Sequence, residues 1–188
     1  TQPCSSAASD VYKRQHMESF GSFETLLSTK EEVFSHSNTD QVVLNKDDKH
    51  FDKWEKMNKL KKITTISILN SADYYFEKIN DEFFHVSTPK GKFELSKKSS
   101  SKALVINLLF SIALAMEAGA NIQSVKDGIK NFSGVQGRFY CYVSSNKSIV
   151  IDDSYNANPE SMKTSLNQLK SFNKNKIFIM GDMGELAE

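Results

Sequence analysis

Residues 149–159 read IVIDDSYNANP, and the order of residue types in this stretch decides the fold. The run Ser148 to Ile151 that opens into it is, after the serine, β-branched and apolar, the composition of a strand buried in a parallel sheet. Asp152 and Asp153 stand where that strand should end. Asn158 then supplies an N-cap and Pro159 the favoured first helical position, with Met162, Leu166, Leu169 and Phe172 following at helical spacing. Lys176 to Met180 is strand-like again and closes at Gly181 and Asp182. The segment predicts a βαβ unit whose polar residues gather at the carboxyl edge of the sheet, where open α/β sheets bind ligands.

Upstream the alternation recurs. Phe23 to Val33, FETLLSTKEEV, predicts a helix with Phe23, Leu26, Leu27 and Val33 on one face and Lys30, Glu31 and Glu32 reaching solvent. Gln41 to Asp48, QVVLNKDD, reads as a short strand ending in an acidic turn, in which Asn45 and Asp47 are either turn and cap residues or ligand contacts. A helix carrying Phe51, Trp54 and Met57 follows, then a β-rich run from Lys62 to Leu69. From Ala72 the pattern changes. Strands at Tyr74 to Ile79, Glu82 to Thr88 and Lys92 to Leu95 are separated by Asn80-Asp81 and Pro89-Lys90-Gly91, the turn signals of a small antiparallel meander. Its aromatics lack the basic interleaving of a base-stacking platform and read as packing. Ala103 to Ala118 predicts a buried helix closed by Gly119, and Ile122 to Phe132 a second helix. That pattern ends at Ser133 to Gln136, the predicted domain boundary, beyond which Gly137-Arg138 leads into a strand from Phe139 to Val143.

With 188 residues, 39% hydrophobic and 25% charged, the chain can bury a core. A net charge of +1 provides no field for nucleic acid or an anionic membrane. Of the two cysteines, Cys141 alone lies in a predicted element, which argues for a reducing compartment and against disulfides or a cysteine zinc site. The longest apolar stretch, Ala103 to Met116, is interrupted by Asn107 and Ser111 and falls short of the roughly 18 residues of a membrane span, so a cytoplasmic location is expected. Residues 1–15 differ in character. DVYKRQ, Asp10 to Gln15, reads as the translation of a transposon end used in sequencing-library preparation, so the segment is expected to be non-native and disordered, the alternative being a natural N-terminus or a degenerate targeting peptide.

DDSYNANP from Asp152 to Pro159, then Ser161-Met162 and GDMGEL from Gly181 to Leu186, with Gly137-Arg138 ahead of them, resemble strings of the Mur ligase family in the family's order. HMESFGS, His16 to Ser22, and the helix bearing Lys30 are similar to the family's H-L-E-x-F-G-S followed by K-x-E-I, with Met17 in place of the usual leucine. LNKDD resembles its L-N-x-D-D turn. The resemblance implies an α/β fold: the latter part of a Mur ligase central ATPase-type domain with the meander over residues 16–135, plus the first βαβ unit of a Rossmann-like C-terminal domain over residues 136–188. It also implies an activity, ATP-dependent amide formation through an acyl phosphate in peptidoglycan synthesis. The SYNANP string points to the branch that adds D-alanyl-D-alanine to UDP-N-acetylmuramoyl-tripeptide. A sister amide ligase of the Mur or folylpolyglutamate type, and a non-catalytic nucleotide-binding module, are the alternatives.

Matched residue by residue, the resemblance places His16 on the metal-associated histidine and Lys30 on the lysine that becomes carbamylated. That change turns an amine into a carboxylate-like oxygen ligand, which suits the hard Mg²⁺ ion of ATP chemistry. Arg138 falls to phosphate, because a guanidinium holds phosphoryl oxygens bidentately. Asp153 falls to the ribose hydroxyls, with Asp152, Tyr155, Asn156 and Asn158 shaping the ATP pocket. Asp182 and Glu185 read as caps of a following helix in preference to dipeptide contacts. The expected state is a monomer that engages neither nucleic acid nor membrane. Two departures stand out. No G-x-x-x-x-G-K-[ST] phosphate loop occurs in the chain. Where relatives carry G-x-H-N-x-x-N, Ser101-Lys102-Ala103-Leu104 stands and only Asn107 remains, leaving the usual adenine contact unaccounted for. The resemblance corresponds to less than half of a family chain, truncated at both ends, so the chain alone is expected to be inactive.

Overall fold

The computed structural model describes residues 22–36, 38–80, 82–96, 102–155, 157, 159–170, 172–173 and 175–182. The expected non-native segment, residues 1–15, lies outside them. Helix α1 (Phe23–Ser35) starts at Ser22, whose hydroxyl accepts the Thr25 amide at 3.1 Å. Strand β1 (Gln41–Asn45), helix α2 (Phe51–Met57) and strand β2 (Lys62–Ser67) follow, with β1 and β2 paired in parallel. Strand β3 (Tyr74–Ile79) continues the parallel set, while β4 (Phe83–Thr88) and β5 (Gly91–Ser96) add to it antiparallel. The result is one mixed sheet in the order β1-β2-β3-β4-β5, its second half the meander that the turn residues predict.

Helix α3 (Lys102–Glu117) crosses one face of this sheet. Leu109, Ile112, Ala113 and Met116 are almost fully buried against Ile66, Tyr74, Phe84 and Val86, and Val125 of α4 (Ile122–Asn131) joins the same core. The opposite face is covered around β1. Val42 and Leu44 pack with Trp54 of α2 and with Leu27 and Phe34 of α1, whereas Val43 packs toward the α3 side. Alternate residues of one strand thus serve two cores, and the sheet lies between helical layers.

The end of α3 is tightly specified. Gly119 adopts φ +104°, and the amides of Gly119 and Ala120 return to the carbonyls of Met116 and Ala115, the bonds of a Schellman cap. Lys90 Nζ also donates to the carbonyls of Met116 (3.0 Å) and Ala120 (3.2 Å). The last helical residue, Glu117, accepts from Gln41 Nε2 at 2.6 Å, Lys62 Nζ at 2.5 Å and the Tyr74 hydroxyl at 2.8 Å. One carboxylate therefore ties α3 to the starts of β1, β2 and β3.

Beyond α4, two strand readings change. Strand β7 (Ile149–Asp152) forms, but it pairs antiparallel with β6 (Tyr140–Val143) and is only partly buried, so it is not the buried parallel strand expected. The reason is local. Ser144 to Ser148 closes a hairpin through Ser144 N to Ser148 O at 2.9 Å and Lys147 N to Ser144 O at 2.9 Å, with Lys147 at φ +64°. A short loop closes at little entropic cost, whereas a parallel neighbour needs a crossover. Helix α5 (Pro159–Lys170) follows as predicted, but Lys176 to Met180 forms no strand, with Ile177 at 88% and Ile179 at 89% exposure. An open cleft of ≈ 480 Å³ lined by Leu166, Leu169 and Phe178 lies between that segment and α5.

Replacing Glu117 with Ala is expected to lower the unfolding free energy by about 2 kcal/mol at neutral pH, because three donors lose a charged acceptor. The Lys62 ammonium, followed by the Gln41 and Tyr74 donors, holds the Glu117 carboxyl below its ordinary value near 4.5. Its stabilisation is therefore complete above that value and disappears as pH falls through the lower folded-state value. Urea unfolding of both proteins across this range checks it. A difference that persists undiminished in strong acid contradicts the assignment.

Candidate active site

The acidic end of β7 is built against the turn that precedes β6. Gly137 at φ +77° and Phe139 at φ +51° flank Arg138, and this bent backbone is held by both aspartates. Asp152 Oδ2 accepts the Gly137 amide at 3.1 Å, and Asp153 Oδ1 accepts the Phe139 amide at 2.9 Å. The Tyr155 amide closes the loop on the Gly137 carbonyl at 2.9 Å. A Cβ at position 137 would meet the Tyr155 Cβ at 3.1 Å and its amide nitrogen at 3.2 Å, so the close approach needs glycine as much as the positive φ does. The outcome is a stack. Arg138 Cζ lies 4.2 Å from the centroid of the Tyr155 ring, a contact worth about 0.5–1 kcal/mol at an exposed site.

Serines complete the framework. The Ser154 hydroxyl donates to Asp152 Oδ1 at 2.6 Å and the Ser154 amide to the same oxygen at 3.1 Å. These bonds, and to a smaller degree the Gly137 amide, hold the Asp152 carboxyl below the usual carboxylate range. Ser165 of α5 donates to Asp153 Oδ2, which links the helix to the same turn. Two carboxylates, a guanidinium and an exposed tyrosine ring thus converge at the end of β7. The arrangement can accept hydroxyl donors at Asp153 and offer a cation to an anionic group at Arg138.

Of the residues expected at the site, the structure brings together Arg138, Asp152, Asp153 and Tyr155. His16, Asn156 and Asn158 lie outside the described residues. Lys30 is on α1, half-buried, and burial pushes its amine below the ordinary value of 10.5. Glu31, expected in solvent, is buried at 8% exposure, with its carboxylate against Trp54 Nε1 and Lys53 Nζ. A hydrophobic-face count cannot find such a residue, because its partners come from a different helix. Asn45 and Asp47 are turn residues: Asn45 Oδ1 accepts the Asp47 amide at 3.0 Å, and Asp47 accepts from Ser67 Oγ at 2.5 Å and the Ile68 amide at 2.7 Å. Asn107 is exposed on α3. Sequence reasoning missed Ser154 and Ser165, although a serine two residues after an aspartate is a recognisable local cap. Among the described residues no cluster of three or more His, Cys, Asp or Glu side chains is placed to hold a metal, and no helix is long and apolar enough to cross a membrane.

Comparison with known proteins bears on both parts of the chain. Residues 11–115 match the Mur ligase middle domain, and residues 137–188 match the Mur ligase glutamate ligase domain. The chain belongs to the Mur ligase family. It is 31% identical over 180 residues to the UDP-N-acetylmuramoyl-tripeptide--D-alanyl-D-alanine ligase of Haemophilus influenzae, covering 92% of this chain and 38% of that one. The Escherichia coli ligase of the same name is 28% identical, over 92% of this chain and 39% of its own length. The chain thus spans about two-fifths of the length of these curated relatives. In fold, it superposes on MurF from Acinetobacter baumannii with a TM-score of 0.76 at 24% identity, covering 90% of this chain and 38% of that one. It superposes on MurF ligase from Thermotoga maritima in complex with ADP with a TM-score of 0.69 at 23% identity, over 92% and 40% respectively.

Gly137→Ala is expected to destabilise the turn by about 1–2 kcal/mol, the cost of a left-handed conformation with a Cβ, aggravated by the contact with Tyr155. Amide exchange at Phe139 and Tyr155 should accelerate while that of α3 stays unchanged. Equal exchange at Phe139 in the two proteins would show that the turn is not held as described.

Proposed function

We propose that the protein containing this chain is an ATP-dependent ligase that joins D-alanyl-D-alanine to UDP-N-acetylmuramoyl-tripeptide in peptidoglycan synthesis. The observation that carries the reading is the Arg138–Tyr155 stack fixed by Asp152 and Asp153, within a chain that belongs to a ligase family and is similar to enzymes of that name. Residues 16–135 are its portion of the central domain and residues 136–188 its portion of the C-terminal domain. It works in the cytoplasm as a monomer.

The chemistry begins with attack of a tripeptide carboxylate oxygen on the γ-phosphorus of ATP, releasing ADP and leaving an acyl phosphate. The dipeptide amine then attacks the acyl carbon, phosphate departs, and the amine gives up a proton as the amide forms. Little of this is covalent work for the protein, so positioning and charge carry the rate. Arg138 neutralises phosphoryl oxygens, its guanidinium oriented by the Tyr155 ring on which it rests. Asp153 accepts from ribose hydroxyls through lone pairs that Phe139 and Ser165 leave open. Asp152 keeps the turn in shape, and Asn156 and Asn158 complete the pocket.

His16 and carbamylated Lys30 would hold Mg²⁺, which supplies positive charge against the phosphate oxygens. The residue present at position 30 fits that role. Partial burial disfavours the ammonium and favours the neutral amine, the form that reacts with carbon dioxide. The chain lacks a phosphate loop, so we further propose that these 188 residues do not catalyse the reaction by themselves.

The complete reading frame, purified and supplied with the tripeptide nucleotide, ATP and magnesium, is expected to release ADP over many turnovers only when D-alanyl-D-alanine is added. Arg138→Ala should lower kcat by about 100-fold or more. Preference for another amino acid or for a folate substrate would redirect the reading to a sister ligase. ATP-independent behaviour of the complete protein would overturn it.

A further inference from the structure

Glu31 is the buried carboxylate for which the proposed chemistry has no use. It is 8% exposed and sits one residue from Lys30. Its Oε1 accepts Trp54 Nε1 at 2.9 Å and its Oε2 accepts Lys53 Nζ at 2.8 Å, so both oxygens are bound to α2. Trp54 is itself 8% exposed, locked among Val42, Leu44, Phe34 and Phe51. Leu27 and Phe34 add apolar contacts with this core, and Lys61 Nζ donates to the Phe34 carbonyl in the last turn of α1. Apolar contacts are non-directional and let a helix roll or slide, whereas a charge-assisted bond to a fixed indole does not. Successive residues of a helix are rotated by about 100° and rise about 1.5 Å along its axis, so fixing the azimuth of one fixes that of the next.

We propose that Glu31 is a positioning residue, fixing the rotation of α1 through Trp54 and Lys53 and thereby setting the Lys30 amine where it is carbamylated. This rests on the reading of Lys30 given above. Glu31 occupies the open position of the K-x-E-I pattern, so the device belongs to this chain and is not demanded by the pattern.

The test uses the 188-residue chain in ¹³C-labelled bicarbonate with magnesium, reading the carbamate carbonyl by NMR, with Lys30→Arg to assign the resonance. Melting curves confirm that each variant is folded. Glu31→Ala and Trp54→Phe are expected to reduce the carbamate signal by about tenfold, as loss of a partner that orients a ligand does. Glu31→Gln, which keeps an acceptor for the indole but loses the charge that holds Lys53, should retain more of the signal than Glu31→Ala. An undiminished signal in folded Glu31→Ala or in Trp54→Phe overturns the proposal, as does a loss in Glu31→Gln equal to that in Glu31→Ala. Should Glu31→Ala fail to fold, Trp54→Phe decides. A wild-type chain without any carbamate signal overturns the reading of Lys30 and this inference together, whereas a signal indifferent to Glu31 overturns this inference alone.

Discussion

The Glu117 carboxylate occupies the end of α3, where the helix dipole disfavours negative charge. Three donors offset that cost, and they come from residues far away in the chain: Gln41, Lys62 and Tyr74. The geometry of the sheet follows from this contact. Apolar packing alone presses α3 onto the strands but leaves it free to shift along them, whereas Glu117 fixes where the helix stops. Burial and the same carboxylate push the Tyr74 hydroxyl well above its ordinary range, keeping it a proton donor at any physiological pH. With the amino edge pinned, the carboxyl edge of β1 and β2 is set as well, and Asp47 can bridge to Ser67 and Ile68 across it.

How much was legible in the sequence depended on whether the deciding interaction was local. The meander could be read because Asn80 and Gly91 do their work within their own turns: Asn80 Oδ1 accepts the Phe83 amide at 2.6 Å, and Gly91 adopts φ +130°. Helix α3 could be read because its apolar residues and its glycine stop are contiguous. β7 was found as a strand, but its partner was misassigned. An apolar run fixes burial preference, not the neighbour, and the Ser144 to Ser148 turn was the overlooked signal. The run at Lys176 to Met180 had strand composition without a partner among the described residues, and composition alone makes no ladder.

The site was legible as a motif and less so as a mechanism of holding. Arg138, Asp152, Asp153 and Tyr155 were named from the resemblance, and they converge. Their means of convergence was not evident, because it runs through backbone groups: the amides of Gly137 and Phe139 are invisible in a string of side chains. Glu31 shows the same blindness in the other direction. Its neighbours in sequence are solvent-facing types, and the Trp54 indole and the Lys53 ammonium, both brought from α2, make its burial tolerable.

Several acidic turns compete for the role of ligand contact, and their hydrogen bonds separate them. A carboxylate offers about four lone-pair sites. Asp47 is half-buried and spans the ends of β1 and β2, so recruiting it would loosen the sheet. Asp152 already receives Gly137 and both donors of Ser154. Asp153 is exposed, and its bonds to Phe139 and Ser165 leave acceptor capacity on each oxygen. Those same bonds fix its orientation beside the turn that carries Arg138. An acceptor held rigidly, facing water, next to an arginine that a tyrosine ring keeps in place is what a nucleotide's hydroxyls and phosphates require together. Asp152 holds that geometry in shape, Asp47 serves the sheet, and the acceptor capacity left on Asp153 is the ground on which we propose it for the ribose hydroxyls.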